Sequence, residues 1–285
     1  IIGSFLNHRS TLGLFQSLEP MIEKELLDLN LFYPGILRLG SFEEKLTLLP
    51  VSFTLPVMMF PDGYEEIDGF ALSLERLREL ASPFSGSDDS RTVMGFSPRW
   101  NQDAAYTFLR LFNTNFGETQ AGTLIWNQEA LQEGIDYLRG WVEEVTGGWE
   151  ADSEFIAKYL YEPTYNLVAA GRILFAFSRI DDYFRIPADK REQIDFRWLS
   201  HEEQIPMGED IIFAGIPRSA KRTVAARAFL SWFFRPEVQT TLLETSQYKR
   251  MRLFGIAGGF SSLQPVNEIQ LPRFFPELIG HIPPA

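Results

Sequence analysis

The side chains most able to carry acid–base chemistry in this sequence are carboxylates. Asp103, Asp181, Asp182 and Glu209 could supply the two carboxylates, ~5–9.5 Å apart, that glycoside hydrolysis needs. No feature of the sequence selects one pair over another. The sequence contains neither a GxSxG nucleophile turn nor a glycine-rich phosphate-binding loop. We therefore expect a protein that is not an enzyme.

Other nucleophiles and metal ligands are scarce. The absence of cysteine removes thiol catalysis, cysteine-ligated zinc and disulfides. His8, His201 and His281 lie far apart and lack the spacing of metal ligands, so ordinary surface or hydrogen-bonding roles are expected for them. The sequence therefore predicts no cofactor and no metal site.

Charge and aromatic content limit the classes of partner. The net charge of −12 argues against a nucleic-acid partner, which would require a basic stripe, and no polybasic patch suggests a membrane surface. The 25 phenylalanines and 6 tryptophans must supply most of the core. A surplus would suit a cleft that stacks on flat ligand faces, and composition alone does not separate these two uses.

The elements that must position any site alternate between strands and helices, which predicts an α/β class. At ~100–200 residues per domain, 285 residues favour two lobes. Strands are predicted at 92–96 and 172–177, each followed by a polar loop. Helices are predicted after Ser73 and Asn127 and at 220–234, the last with Val224, Phe229 and Trp232–Phe233 facing a core.

One apolar stretch, LLPVSFTLPVMMFP at residues 48–61, fits neither a helix nor a central strand. Pro50, Pro56 and Pro61 would break a helix, and each removes a backbone donor from a strand ladder. The run is also shorter than the ~20 residues that a membrane span needs. It is best interpreted as two strands joined by an extended crossing near residues 52–55.

Four stretches together resemble the extracytoplasmic solute-binding proteins of ABC importers, the sugar-binding group that includes maltose-binding protein. They are IIGSFLN followed by LFQSLEPMIE, LLPVSFTLPVMMF, LVAAGRILFAFS, and AARAFLSWFFRPEVQTTLLE. The last two, in this order and spacing, are the most specific. The resemblance covers nearly the whole chain.

The resemblance implies a two-lobed, periplasmic-binding-protein-like fold of type II with hinge crossings. Lobe 1 would comprise residues 1–54 and 203–252, and lobe 2 residues 55–202 and 253–285. Proteins of this group begin with further strands and a helix before the segment seen at Ile1, so lobe 1 is expected to be incomplete.

The same resemblance implies that ligand binds in a cleft between the lobes, where strand ends and helix N-termini point inward. The residues expected there are Ser4, Asn7, Ser52, Thr54, Trp100, Asn101, Ser178, Arg179, Asp181, Phe213, Arg252 and Phe260.

Several of these residues also have plain structural roles. Trp100 could stack on a sugar or lie partly buried in its lobe. Arg179 and Asp181 could bind ligand or form a local ion pair, and Ser52 and Thr54 could satisfy the backbone of the hinge. The group often has Tyr-Asn where this chain has Phe60-Pro61, and a Trp where it has residues 178–180, so the aromatic set of maltodextrin binders is not intact.

The implied function is capture of a small solute, a sugar or oligosaccharide, by hinge closure, with permease subunits as partners and no nucleic acid. The protein is expected to be a monomer outside the cytoplasm, in the periplasm or anchored as a lipoprotein through an upstream residue. One alternative is a lipoprotein of this fold that binds a protein or no small ligand. A carbohydrate-active enzyme is the other.

Overall fold

The computed structural model of the protein describes residues 9–42, 44–85, 92–119, 123–202, 204–208, 210–251 and 253–282. Three predicted ligand-binding residues, Ser4, Asn7 and Arg252, lie outside the described residues. The acidic candidate Glu209 also lies outside them.

Short strands and helices alternate along the chain. The strands are β1 (Ser41–Phe42), β2 (Lys45–Leu46), β3 (Leu48–Phe53), β4 (Pro56–Pro61), β5 (Ala71–Ser73), β6 (Gly117–Glu118), β7 (Leu124–Ile125), β8 (Ala176–Arg179), β9 (Ile194–Ser200), β10 (Ile212–Gly215) and β11 (Phe260–Ser261). The α-helices are α1 (Arg9–Leu12), α2 (Glu19–Ile22), α3 (Pro34–Leu39), α4 (Leu74–Phe84), α5 (Gln102–Leu111), α6 (Gln128–Val145), α7 (Trp149–Tyr159), α8 (Thr164–Ala169), α9 (Ile180–Tyr183), α10 (Ala188–Arg191), α11 (Thr223–Phe233), α12 (Pro236–Tyr248) and α13 (Leu271–Phe274). Single 3₁₀ turns span Leu29–Leu31, Pro98–Trp100 and Pro276–Leu278, and a π-helical turn spans Val266–Gln270. No helix in these described ranges is both long and apolar enough to cross a membrane.

The chain divides into two compact units. Unit 1 contains Ile1–Thr54 and Gly208–Ala285, and unit 2 contains Leu55–Thr119 and Thr123–Met207. Residues 253–285 were expected in lobe 2, whereas the described residues 253–282 lie in unit 1. The reason is strand pairing, because β11 lies antiparallel to β3, with Phe260 opposite Phe53.

Unit 1 is built around β3, the central strand of the three-stranded sheet β10–β3–β11. All six residues of β3 are buried. Pro50 lies in this central strand opposite Phe213 of β10, and the register shifts between Ile212 and Phe213. That irregularity is where the ladder accommodates a residue that has no N–H to donate.

Unit 2 contains the four-stranded sheet β5–β9–β4–β8, in which β4 and β9 are the two inner strands. Helix α4 begins where the Ser73 hydroxyl accepts a hydrogen bond from the Arg76 N–H, and it buries Leu74, Leu77 and Leu80, as predicted. Helix α6 is capped by Asn127, also as predicted, and buries Trp141. The Trp141 indole N–H donates to the Phe96 carbonyl at 2.9 Å, which fixes the backbone just before the loop at Ser97.

The proline-containing stretch at 48–61 folds as two strands in two different sheets. β3 ends at Phe53 in unit 1, and β4 begins at Pro56 in unit 2. Pro56 and Pro61 are the first and last residues of β4, positions where a missing N–H costs little. The chain therefore passes from one unit to the other at Thr54–Leu55.

Three local predictions differ from the structure. The strand predicted at 92–96 is reduced to an isolated parallel bridge between Met94 and Ile173. The strand predicted at 172–177 lies further along the chain, as β8, so Ser178 and Arg179 belong to the strand rather than to the loop after it. Helix α11 forms, but Val224, Phe229 and Trp232 are 80%, 56% and 45% exposed instead of facing a core. The α11 sequence is apolar on several sides, so its pattern could not select the buried face, which is occupied by Leu230.

Candidate ligand-binding site

Several extended segments of unit 2 end at one edge. Met94 forms a parallel bridge with Ile173, and the N–H groups of Leu174 and Phe175 donate to the Gly95 carbonyl. The two segments therefore run in the same direction, and both end at this edge. The residues that follow them, 97–100 on one segment and 178–181 on the other, belong to one side of unit 2.

The same edge is where the chain enters and leaves unit 2. Pro56 pairs with Arg179, and the Ile180 N–H donates to the Leu55 carbonyl at 3.1 Å. β9 is antiparallel to β4 and ends at Ser200, so the chain leaves the sheet at the same side. Trp100, Asn101, Ser178, Arg179 and Asp181, all predicted ligand-binding residues, lie at this edge.

Four charged side chains form an ion network after β8. Arg179 contacts Asp181 at 3.1 Å and Asp182 at 3.5 Å. Arg185 contacts the same two carboxylates, at 3.2 and 2.6 Å. Asp181 is buried, so this pairing compensates a carboxylate removed from water. Each group has an opposite charge beside it, so the network presents a charge-paired polar surface.

A pocket of about 300 Å³ lies beside this network, wholly within unit 2. Met59, Ile186 and two prolines give it an apolar wall, and Thr164, Tyr165, Ser178, Asp182 and Arg185 add polar groups. An apolar wall with a few converging polar groups is the usual composition of a small-molecule site. Hydroxyl, carboxylate and guanidinium groups together suit a neutral ligand rich in hydroxyls.

Asp152 of α7 is the centre of a second cluster at this edge. Its side chain is fully buried. It accepts hydrogen bonds from the Trp100 indole N–H at 2.8 Å, from the Arg99 guanidinium at 2.6 Å and from the Ser97 hydroxyl at 3.4 Å. Burial raises the pKa of Asp152, and the hydrogen bond from Trp100 and the charge of Arg99 oppose that effect.

Trp100 and Asn101 both contact other residues of unit 2. The Trp100 ring stacks on Phe155 with centroids 5.3 Å apart and meets Phe96 edge to face. The Asn101 side-chain oxygen accepts from the N–H groups of Asp103 and Ala104, which caps α5. The packing role that the sequence analysis left open for Trp100 is therefore present.

Trp149 is the aromatic side chain at this site that the sequence analysis did not select. It is the first residue of α7 and is 63% exposed, and the Arg99 guanidinium carbon lies 3.3 Å from its ring centroid. The Gly147-Gly148 pair before it, with φ of 75° and 98°, makes the turn that brings the helix start to this position. A tryptophan directly after two glycines and before a helical pattern was the available signal.

The remaining predicted residues lie together in unit 1, but in its core. Ser52 is on β3 opposite Ile212 of β10 and Ser261 of β11, and Phe213 and Phe260 belong to those neighbouring strands. All three are buried, and Phe260 packs on Phe53 and Phe254. Thr54 is also buried, and its carbonyl accepts from the Gly208 N–H. The structure thus gives Phe213 and Phe260 packing roles where direct contact with ligand was expected.

Metal coordination has no visible basis in the part of the chain that the structure describes. No three histidine or acidic side chains there come close enough together to hold a metal ion.

These two units, joined at Thr54–Leu55 and Met207–Gly208, have the fold of the solute-binding proteins of ABC transporters. Mannobiose-bound CpMnBP1 shares 16% identity with the chain at a TM-score of 0.63, covering 98% of this chain and 70% of its own. An ABC substrate-binding protein from Listeria monocytogenes in complex with cycloalternan gives 15% identity, a TM-score of 0.63 and coverage of 99% and 70%. Maltose-bound MalE3 of T. maritima gives 13% identity and a TM-score of 0.63, and the match covers 99% of this chain and 71% of MalE3.

At these identities the likeness concerns the fold. It confirms the two-lobed fold class that the sequence resemblance implied. No protein-family model matches the chain, and no curated protein matches it significantly.

Proposed function

We propose that the protein is the solute-binding component of an ABC importer and that it binds a carbohydrate at the edge of unit 2 described above. One observation carries the proposal. A pocket of about 300 Å³ with an apolar wall and converging polar groups lies beside the ion network that follows β8, in a fold shared with proteins that hold mannobiose, cycloalternan and maltose.

The chemistry of the edge supports a neutral sugar more than a charged solute. Arg179 and Arg185 are each paired with Asp181 and Asp182, and Arg99 is paired with Asp152, so each of these three guanidinium groups already has a carboxylate partner. The carboxylates of such pairs accept hydrogen bonds from sugar hydroxyls, and the guanidinium groups donate hydrogen bonds to hydroxyl oxygens. An apolar wall and an indole face would meet the C–H face of the sugar ring.

The remaining features of the proposal follow the sequence resemblance. We propose that a hinge at the two connections between the units closes on the ligand, and that membrane permease subunits receive it. We further propose an extracytoplasmic location. A lipid anchor on an upstream residue remains a prediction.

A thermal-shift screen tests the proposal. Maltose, mannobiose, cycloalternan, tagatose and mannitol are the ligands named in the similar structures. At least one sugar of this set, at about 100 times its Kd, is expected to stabilise the folded state by about 2.7 kcal/mol and to raise Tm by several degrees. Free amino acids serve as the control set and are expected to leave Tm unchanged.

A second candidate is a lipoprotein of the same fold that binds a protein or no small ligand. The departures at Phe60-Pro61 and at residues 178–180 from the usual aromatic set favour it. A flat screen across sugars, polyols, amino acids and peptides would contradict sugar transport and leave this candidate. Release of labelled products from glycans would instead support the enzyme alternative.

A further inference from the structure

We propose that Trp149 is the aromatic platform of the site, on which the apolar face of a pyranose ring stacks. This inference rests on the proposed function and assigns the stacking role to a residue other than Trp100.

The Trp149 indole is held by a neighbouring side chain and yet remains exposed. Arg99 covers one face of the ring, with its guanidinium carbon 3.3 Å from the ring centroid, yet the residue is 63% exposed. Most of the surface of the side chain is therefore available to a ligand. An exposed indole face held in this way is a surface on which the apolar face of a sugar ring can stack.

Arg99 is itself held in place by hydrogen bonds. Its guanidinium donates to Asp152 at 2.6 Å, and the second oxygen of that buried carboxylate accepts from the Trp100 indole at 2.8 Å. Trp100 is in turn stacked on Phe155. The Trp149 ring is thus backed by a chain of contacts that reaches the core of unit 2. Pre-organisation of this kind lowers the entropy that a side chain loses when ligand binds.

The N-terminus of α7 lacks a side-chain cap. Gly148 precedes the helix with φ of 98°, and no side chain caps the helix there. The N–H groups of the first turn need acceptors, and in an uncapped helix they take water or a ligand. A sugar stacked on Trp149 would bring hydroxyl oxygens to these donors.

Exposed carboxylates favour a neutral sugar over a uronic acid. Glu150 is exposed in the first turn of α7, and a Glu143 carboxylate oxygen lies within 3.3 Å of the position that a Gly148 side chain would take. Each can accept a hydrogen bond from a hydroxyl and repel an anion. The platform therefore fits an uncharged pyranose.

The test compares variants in calorimetric titrations with maltose, mannobiose and cycloalternan. Trp149→Ala is expected to weaken the sugar affinity of the wild type roughly tenfold or more, and Trp149→Phe to retain most of it. Trp126→Ala is the matched control, because Trp126 is a half-exposed tryptophan of the same unit. It is expected to leave the affinity unchanged.

A second measurement uses the wild-type protein and so does not depend on any variant folding. Oxidation of tryptophan by N-bromosuccinimide, mapped by mass spectrometry, is expected to slow at Trp149 but not at Trp126 when the bound sugar is present. If a sugar binds the wild type while Trp149→Ala binds it equally and Trp149 stays unprotected, the platform is wrong and the proposed function stands. If no sugar binds the wild type, the proposed function fails and the platform fails with it.

Discussion

At the scale of single residues, Asp152 connects the site to the core of unit 2. Its fully buried carboxylate accepts from Arg99, Trp100 and Ser97. Asp152→Asn keeps the shape but turns one acceptor into an N–H donor facing Arg99. We expect a loss of about 1–3 kcal/mol in the free energy of unfolding, measured by urea denaturation at pH 7.

The exposed residue Glu133 of α6 provides the matched control for that measurement. Glu133→Gln makes the same change of a carboxylate to an amide without a buried partner. Its effect should stay within about 0.5 kcal/mol. Equal effects of the two substitutions would mean that the Asp152 hydrogen bonds contribute nothing to stability.

The pH dependence of stability is a separate test of Asp152. Burial raises its pKa above the ordinary value of 3.8, and the hydrogen bond from Trp100 and the charge of Arg99 act to lower the pKa. The folded state therefore keeps this proton at pH values where the unfolded chain has lost it. The stability that this proton contributes is fully present below pH 3.8 and is lost as pH rises through the raised pKa.

The measurement compares the free energy of unfolding of the wild type with that of Asp152→Asn at a series of pH values. The difference, wild type minus variant, should fall as pH rises across this window and then level off. A difference that grows with pH would show that the Arg99 pair outweighs burial.

At the scale of elements, α11 allows two neighbouring residues to be compared. Phe229 is 56% exposed and Leu230 is 4% exposed. Phe229→Ala is expected to change the free energy of unfolding by about 0.5 kcal/mol or less, whereas Leu230→Ala should cost about 2–5 kcal/mol because it leaves a cavity. Chemical denaturation of both variants checks this. If Phe229→Ala costs as much as Leu230→Ala, another part of the protein covers this face in solution.

The elements also show what the sequence could predict. Helices α4 and α6 were predicted correctly because a capping side chain and a one-sided apolar pattern agree at each. The same patterns failed at α11, where Val224, Phe229 and Trp232 are apolar on the exposed side as well. A pattern shows that a helix is apolar, but only the neighbouring elements determine which side is buried.

The candidate site was harder to predict than its elements. Strand ends drew attention to residues 97–101 and 178–181, and the parallel bridge of Met94 to Ile173 brings these two stretches to one edge. Whether Trp100 faces solvent or Phe155 depends on α7, which is some 50 residues further along the chain and could not be inferred from the local sequence. Trp149 was not selected for the same reason, since its contact with Arg99 depends on where α7 lies.

At the scale of the whole molecule, the proposed hinge closure makes a prediction that differs from binding alone. A ligand shifts the population of a two-state protein only through its different affinity for the two states. If the sugar contacts both units only when they are closed, binding must lower the radius of gyration toward the ~19 Å of a compact chain of this length. Small-angle X-ray scattering, with and without the sugar that raises Tm, measures this change.

Trp149→Ala is the informative control, since a sugar concentration that saturates the wild type should leave much of this variant unbound and therefore uncontracted. Raising the sugar concentration tenfold or more should restore contraction, because the substitution weakens binding without altering the connections at Thr54–Leu55 and Met207–Gly208. If both proteins contract at the same sugar concentration, closure does not depend on Trp149. Stabilisation by sugar with no contraction in either protein would show that unit 2 binds the ligand by itself, and the hinge mechanism would then have to be abandoned.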